Sequence, residues 1–133
     1  MTVNTKLPLL ALAFVLTFTP THAANLLGTA KRDAGENPTG WSHNWCAHWL
    51  DRTLRRAGKP GGGNLARAYA NYGQPTPARV GAIAVMPGHV GIVTAVGKGF
   101  VTVISGNHSG KSGHRTVGYG NYRMNRIIAF RMP

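Results

Sequence analysis

The chain has 133 residues, with fifteen Lys and Arg against three Asp and Glu and a formal net charge of +12. That length holds one small domain and not two, and a single cysteine, Cys46, excludes an internal disulfide. The three acids, Asp33, Glu36 and Asp51, all precede Arg52, and a surface of one sign expects a polyanionic partner. The basic residues are scattered rather than packed into a run, so they make a field that favours binding, not a recognition motif.

In chain order, Lys6 leads an almost wholly apolar stretch at 7–18, then Pro20 and the small-x-small pattern Thr21-His22-Ala23. This is the layout of a signal peptide, 1–23, with cleavage after Ala23. An uncleaved anchor is the alternative, but the apolar run is too short to span a bilayer. The expected product is an exported monomer, periplasmic or secreted, with one domain at 24–133 and no membrane span.

Residues 24–44 read as a polar lead-in with a turn at Asn37-Pro38-Thr39-Gly40. Residues 45–57 lack Gly and Pro and predict a helix, capped by Asn44 or Ser42 and ended by Gly58 and Pro60. Cys46, Leu50, Leu54 and Ala57 form its apolar stripe. After Gly61-Gly62-Gly63, residues 65–72 predict a second short helix between Asn64 and Gly73. Strands are then predicted at 80–86, 89–96 and 100–105, a Gly-Ser-His loop at 106–114, a short strand at 115–119, an aromatic loop at 118–123 and a last strand at 126–131. Helices first and an antiparallel sheet after give an α+β domain.

A lone thiol in an oxidising compartment invites a use for the thiol itself, although a small buried hydrophobe is the bland reading. Cys46 falls in the first turn of the predicted helix, where unpaired backbone N–H groups and the dipole stabilise a thiolate. It needs an imidazole to take its proton and a third group to orient that imidazole. If the strands around Gly97-Lys98-Gly99 pair through a three-residue loop, Val93 faces Val103 and His89 faces Asn107. Opposed Cβ atoms are then about 4.5–5.5 Å apart. A two-residue loop would set His89 against Gly106, and a four-residue loop would set it against His108.

Trp45-Cys46-Ala47-His48-Trp49, the strand pair ending in Gly88-His89-Val90-Gly91-Ile92-Val93, and Val103-Ile104-Ser105-Gly106-Asn107 occur in that order. Together with Asn64-Leu65-Ala66-Arg67-Ala68-Tyr69 they resemble CHAP domains, the cysteine- and histidine-dependent amidohydrolases and peptidases, over residues 37–133. The resemblance implies a papain-like fold and a peptidoglycan amidase or endopeptidase. In it Cys46 is the nucleophile, His89 the general base and then acid, and Asn107 the orienter. Ser105 stands where many members carry an acid, and Ala82 where many carry Asp.

Trp45, Trp49, Gly88 and Tyr119 are the expected substrate contacts, with the tryptophans as core and cleft wall and Tyr119 on the cleft rim. His43 and His48 read as partly solvated helix-start residues. His108 and His114 lack a nearby acid or cysteine and make a poor zinc site, so no metal and no cofactor is expected. The expected partner is peptidoglycan or another anionic envelope polymer. Specific nucleic-acid recognition is not expected, because the aromatics do not interleave with Lys and Arg. A catalytically inactive wall-binding module on the same fold is the alternative.

Overall fold

The structure is a computed structural model that describes residues 23–109 and 114–133. The expected signal peptide lies, except for Ala23, outside the described residues. No helix among those described is long and apolar enough to cross a membrane.

The lead-in contains a helix that the sequence reading did not expect, α1 (Ala23–Arg32). Leu26 and Ala30 are buried one turn apart and Asp33 is buried just beyond the helix. That face is too short and too sparsely apolar to announce itself as a period. It packs on α2 (Cys46–Arg56), which buries Cys46, Ala47, Trp49, Leu50, Thr53 and Leu54. Asp33 Oδ2 joins the two helices. It accepts from Trp49 Nε1 at 2.9 Å and from Arg56 Nη1 at 3.0 Å. The end of α2 is as expected: Gly58 N–H bonds Arg55 O and Lys59 N–H bonds Leu54 O, the paired closure of a Schellman motif. Its start is not. Trp45 holds the N-cap position and no side chain caps the helix. Asn44, at φ +50, is in the left-handed region rather than the extended one an N-cap residue adopts.

The second predicted helix is a 3₁₀ segment, Ala66–Asn71. The strands are β1 (Gln74–Pro75), β2 (Ile83–Met86), β3 (His89–Val96), β4 (Phe100–Ser109), β5 (Arg115–Arg123) and β6 (Ala129–Met132). They form one antiparallel sheet in the order β1-β6-β2-β3-β4-β5. The fold is α+β, as expected. The predicted aromatic loop is instead the second half of β5. Gly118 and Gly120 suggested a loop, but a Cβ on either would come within 2.8 Å of the rings of His108 and Tyr122. They are strand glycines on which other side chains lie.

Strand alternation splits the core into two faces. Ile83, Val85, Val90, Ile92 and Ile104 pack with both helices. Ala84, Met86, Val93, Val101 and Val103 point the other way, where Tyr122, Met124, Ile127 and Phe130 pack against them. The chain from the end of β5 into β6 therefore supplies the cover that helices supply on the first face.

Candidate active site

Cys46 opens α2 and is 6% exposed. It stands in a cleft of about 430 Å³ whose other walls include Asn44, Asn64, Arg67, Gly88 and Asn107. Gly88 is there because β2 and β3 join through Pro87-Gly88 alone, with Met86 paired to His89. Gly88 has φ +68, which a glycine adopts without a Cβ penalty. The tight turn leaves His89 as the first residue of β3, beside Val90, whose backbone N–H acts on the Cys46 sulfur.

The β3–β4 register reconciles two of the expected alternatives. At the loop, Val96 pairs with Val101, which leaves a four-residue connection. Thr94 is then an extra residue between the Val93↔Val103 and Ala95↔Thr102 pairs. This bulge cancels the offset, so the outward pairs Val93↔Val103 and Ile92↔Ile104 follow the three-residue register. Further out, β4 bulges against β5 between Ser105 and His108. Asn107 sits in that bulge at φ +54, and bulges of this kind re-aim side chains.

The imidazole accordingly bonds elsewhere than expected. His89 Nε2 lies 2.8 Å from Ser105 Oγ, while Asn107 Oδ1 is buried with no hydrogen-bond partner among the described residues. In the outward register Ser105 is opposite Gly91, so His89 reaches it diagonally, past a residue with no side chain. Ser105 is fully buried. It hydrogen-bonds the Tyr122 hydroxyl, which opposes the upward push of burial on that phenol, and the Tyr122 ring lies over Gly120 with its centroid 6.1 Å from that of His89. In the sequence Ser105 stands out only as a departure from the family pattern, and Tyr122 falls in the expected aromatic loop. The shared period-2 face of Ser105 and Asn107 was the available signal for the first. For Tyr122 there was none, because its approach depends on two strand glycines.

The electrostatics favour a neutral pair. Burial pushes the Cys46 thiol up, against the lowering effect of the Val90 and Ala47 N–H groups. Burial also brings His89 down to about 4, with His108 and Arg115 adding to the shift. The expectation of a resting thiolate rested on the helix terminus alone, and desolvation outweighs it. With Nε2 committed to Ser105, Nδ1 is the nitrogen left for proton transfer.

Of the expected substrate contacts, Gly88 lines the cleft. Trp45 and Trp49 do not reach it: they are 0% and 1% exposed and belong to the core. The stripe that suggested a cleft wall is the helix face turned to the sheet. Tyr119 is 46% exposed, lines neither the Cys46 cleft nor the cavity beside His89, and pairs across from Ile104. His48 stacks on Trp41 with centroids 4.0 Å apart and bonds Asn64 through Nδ1, and His43 is exposed. No group of three metal-ligating side chains gathers among the described residues.

Comparison with known proteins agrees with this layout. The family model described as the CHAP domain matches residues 38–107, more than half of the chain. Among solved structures, the wild-type endolysin LysIME-EF1 superposes with a TM-score of 0.62 at 17% identity. The match covers 85% of this chain and 65% of the endolysin chain. At that identity the likeness is one of fold, the papain-like arrangement of helices on an antiparallel sheet. No curated protein matches the chain.

Proposed function

The chain belongs to the CHAP domain family, and we propose that it is a peptidoglycan hydrolase, an amidase or endopeptidase, acting outside the cytoplasm as a domain of residues 24–133 after loss of its export segment. One observation carries the reading. The only cysteine stands at the uncapped start of a helix, in an open cleft, beside the strand that begins with a hydrogen-bonded histidine.

In this reading His89 Nδ1 takes the Cys46 proton as the sulfur attacks the amide carbonyl. A neutral pair requires transfer and attack to run together rather than from a preformed thiolate. The first-turn N–H groups of α2, free of any side-chain cap, face the oxygen on which charge develops. The tetrahedral adduct expels the amine, which His89 protonates, and leaves a thioester. Water, deprotonated by His89, then releases the acid and the thiol. Ser105 accepts from Nε2–H throughout and holds the ring. Asn107, the orienter in the sequence reading, lines the cleft beside Cys46 and contacts substrate instead.

The test uses protein recovered from outside the cytoplasm, with an expected N-terminus at Ala24, on purified sacculi. Wild type is expected to release new amine ends and Cys46→Ser to release none. Equal release by both would overturn the reading. A non-catalytic wall-binding module is the second reading, favoured by the raised thiol. It expects retention on sacculi, no new amine ends, and indifference to thiol-blocking reagents.

A further inference from the structure

A second cavity, of about 210 Å³, adjoins the Cys46 cleft. Asn107 lines both. The walls of the second bring His89 together with His108, Arg115, Tyr122 and Arg126. We infer that this cavity is a carboxylate-binding subsite, which makes the preferred substrate a peptide that keeps a free carboxylate beside the amide to be cut, rather than one whose acids are amidated.

Two guanidinium groups and a second imidazole converge beside the catalytic histidine, and the chain has no acid after Asp51 to neutralise them. Two of its three acids are already engaged, Asp33 by Trp49 and Arg56, and Asp51 by Arg55 and Gly63. Arg115 is also oriented. Its Nη1 donates to Asn107 O at 3.2 Å, which ties the guanidinium to the bulge between the cavities and leaves other N–H groups for a ligand. A guanidinium fork matches a carboxylate in two parallel hydrogen bonds, as it cannot match an amide. A substrate lying over Asn107 spans both cavities, with its scissile carbonyl at Cys46 and its carboxylate among the arginines.

Occupancy also acts on catalysis. Arg115 and His108 both disfavour a charged His89. An anion between them offsets that field, so His89 becomes a better base when the correct substrate is bound. The inference rests on the hydrolase reading, and its test must separate the two.

The probes are N-acetylalanine and its carboxamide, added to the exported protein while the imidazole resonances of His89 and His108 are followed by NMR. The acid is expected to bind saturably, on the order of tenfold more tightly than the amide, and to raise the pH at which His89 titrates. Arg126→Gln and, separately, Arg115→Gln are expected to remove that preference. Two exposed residues are altered independently, so misfolding of one variant leaves the other to decide. Equal binding of acid and amide, no saturable binding of the acid, or a preference surviving in Arg126→Gln would overturn the subsite. None of these readouts requires turnover. Cys46-dependent cleavage without acid preference would sink the subsite and leave the hydrolase standing. Arginine-dependent acid binding without cleavage would sink the hydrolase and, with it, the substrate assignment.

Discussion

The helical side of the molecule and the outer end of its sheet use charge in opposite ways. Between α1 and α2, Asp33 is buried and shared by an indole and a guanidinium. On the other flank of α2, burial pushes Asp51 up, but the Gly63 N–H and Arg55 outweigh it and hold the carboxyl low. At the end of β4 and β5, by contrast, Arg115, Arg126, His89 and His108 share one cavity without a carboxylate. Paired charges fix the helix that carries Cys46. Unpaired ones remain available to a ligand. The proposed site for an anion follows from the distribution of three acids more than from the excess of fifteen bases.

The pairing on the helical side depends most on Asp33. Asp33→Ala removes the hydrogen-bond partner of a buried indole N–H and releases Arg56. The expected loss is about 3 kcal/mol in urea unfolding, most of it the desolvation of groups left unpaired. Arg56 is partly solvated, so Arg56→Gln should cost about 1 kcal/mol or less. Similar losses for the two variants would mean that the ion pair, not the indole bond, joins the helices.

The sheet half is sharpened by pH. The His89 pKa of about 4 in the folded protein compares with about 6.5 in an unfolded chain. Between those values the unfolded state binds the extra proton, so stability rises with pH. This contribution is complete above about pH 6.5 and is lost as pH falls toward 4. It amounts to on the order of 2 kcal/mol after allowance for partial exposure. His108, Arg115, Arg126 and Tyr122 line one cavity with the ring from the neighbouring elements, and none is an anion at these pH values. The difference in urea midpoint between pH 7 and pH 4.5 should therefore shrink in His89→Gln. An unchanged difference would place the titration elsewhere.

How far the sequence foretold this follows from range. Local signals were legible. The Gly58 stop, the Pro87-Gly88 turn and the strand periods depend on neighbours in the chain, and the structure has them. The order of Cys46, His89 and Asn107 was legible through family resemblance, but the register was left among three alternatives, and the structure uses two of them because one bulge cancels one extra loop residue. What failed to show was settled across the sheet or between helices. Helix α1 owes its buried face to α2, the tryptophan stripe to the sheet beneath it, and the retreat of Asn107 from the imidazole to a bulge against β5. A bulge has no period, and a residue's partner changes with it.

Ser105 carries the finest distinction between the two regions. On the helices a carboxylate does the orienting, whereas at His89 a neutral hydroxyl does it, at 2.8 Å. A hydroxyl holds the ring without stabilising an imidazolium by charge, which agrees with a resting histidine that is neutral. Ser105→Ala should leave the fold intact, since a methyl fits where the hydroxymethyl was, and should lower kcat on sacculi by roughly tenfold, about 1.4 kcal/mol. Ser105→Thr, which keeps the hydroxyl, should recover part of that loss. A merely structural serine would move the unfolding midpoint in both variants and kcat in neither. The same pair separates Ser105 from Asn107 as the orienter: were Asn107 the group that holds the ring during turnover, Ser105→Ala would leave the acid limb of the kcat/KM profile where wild type has it.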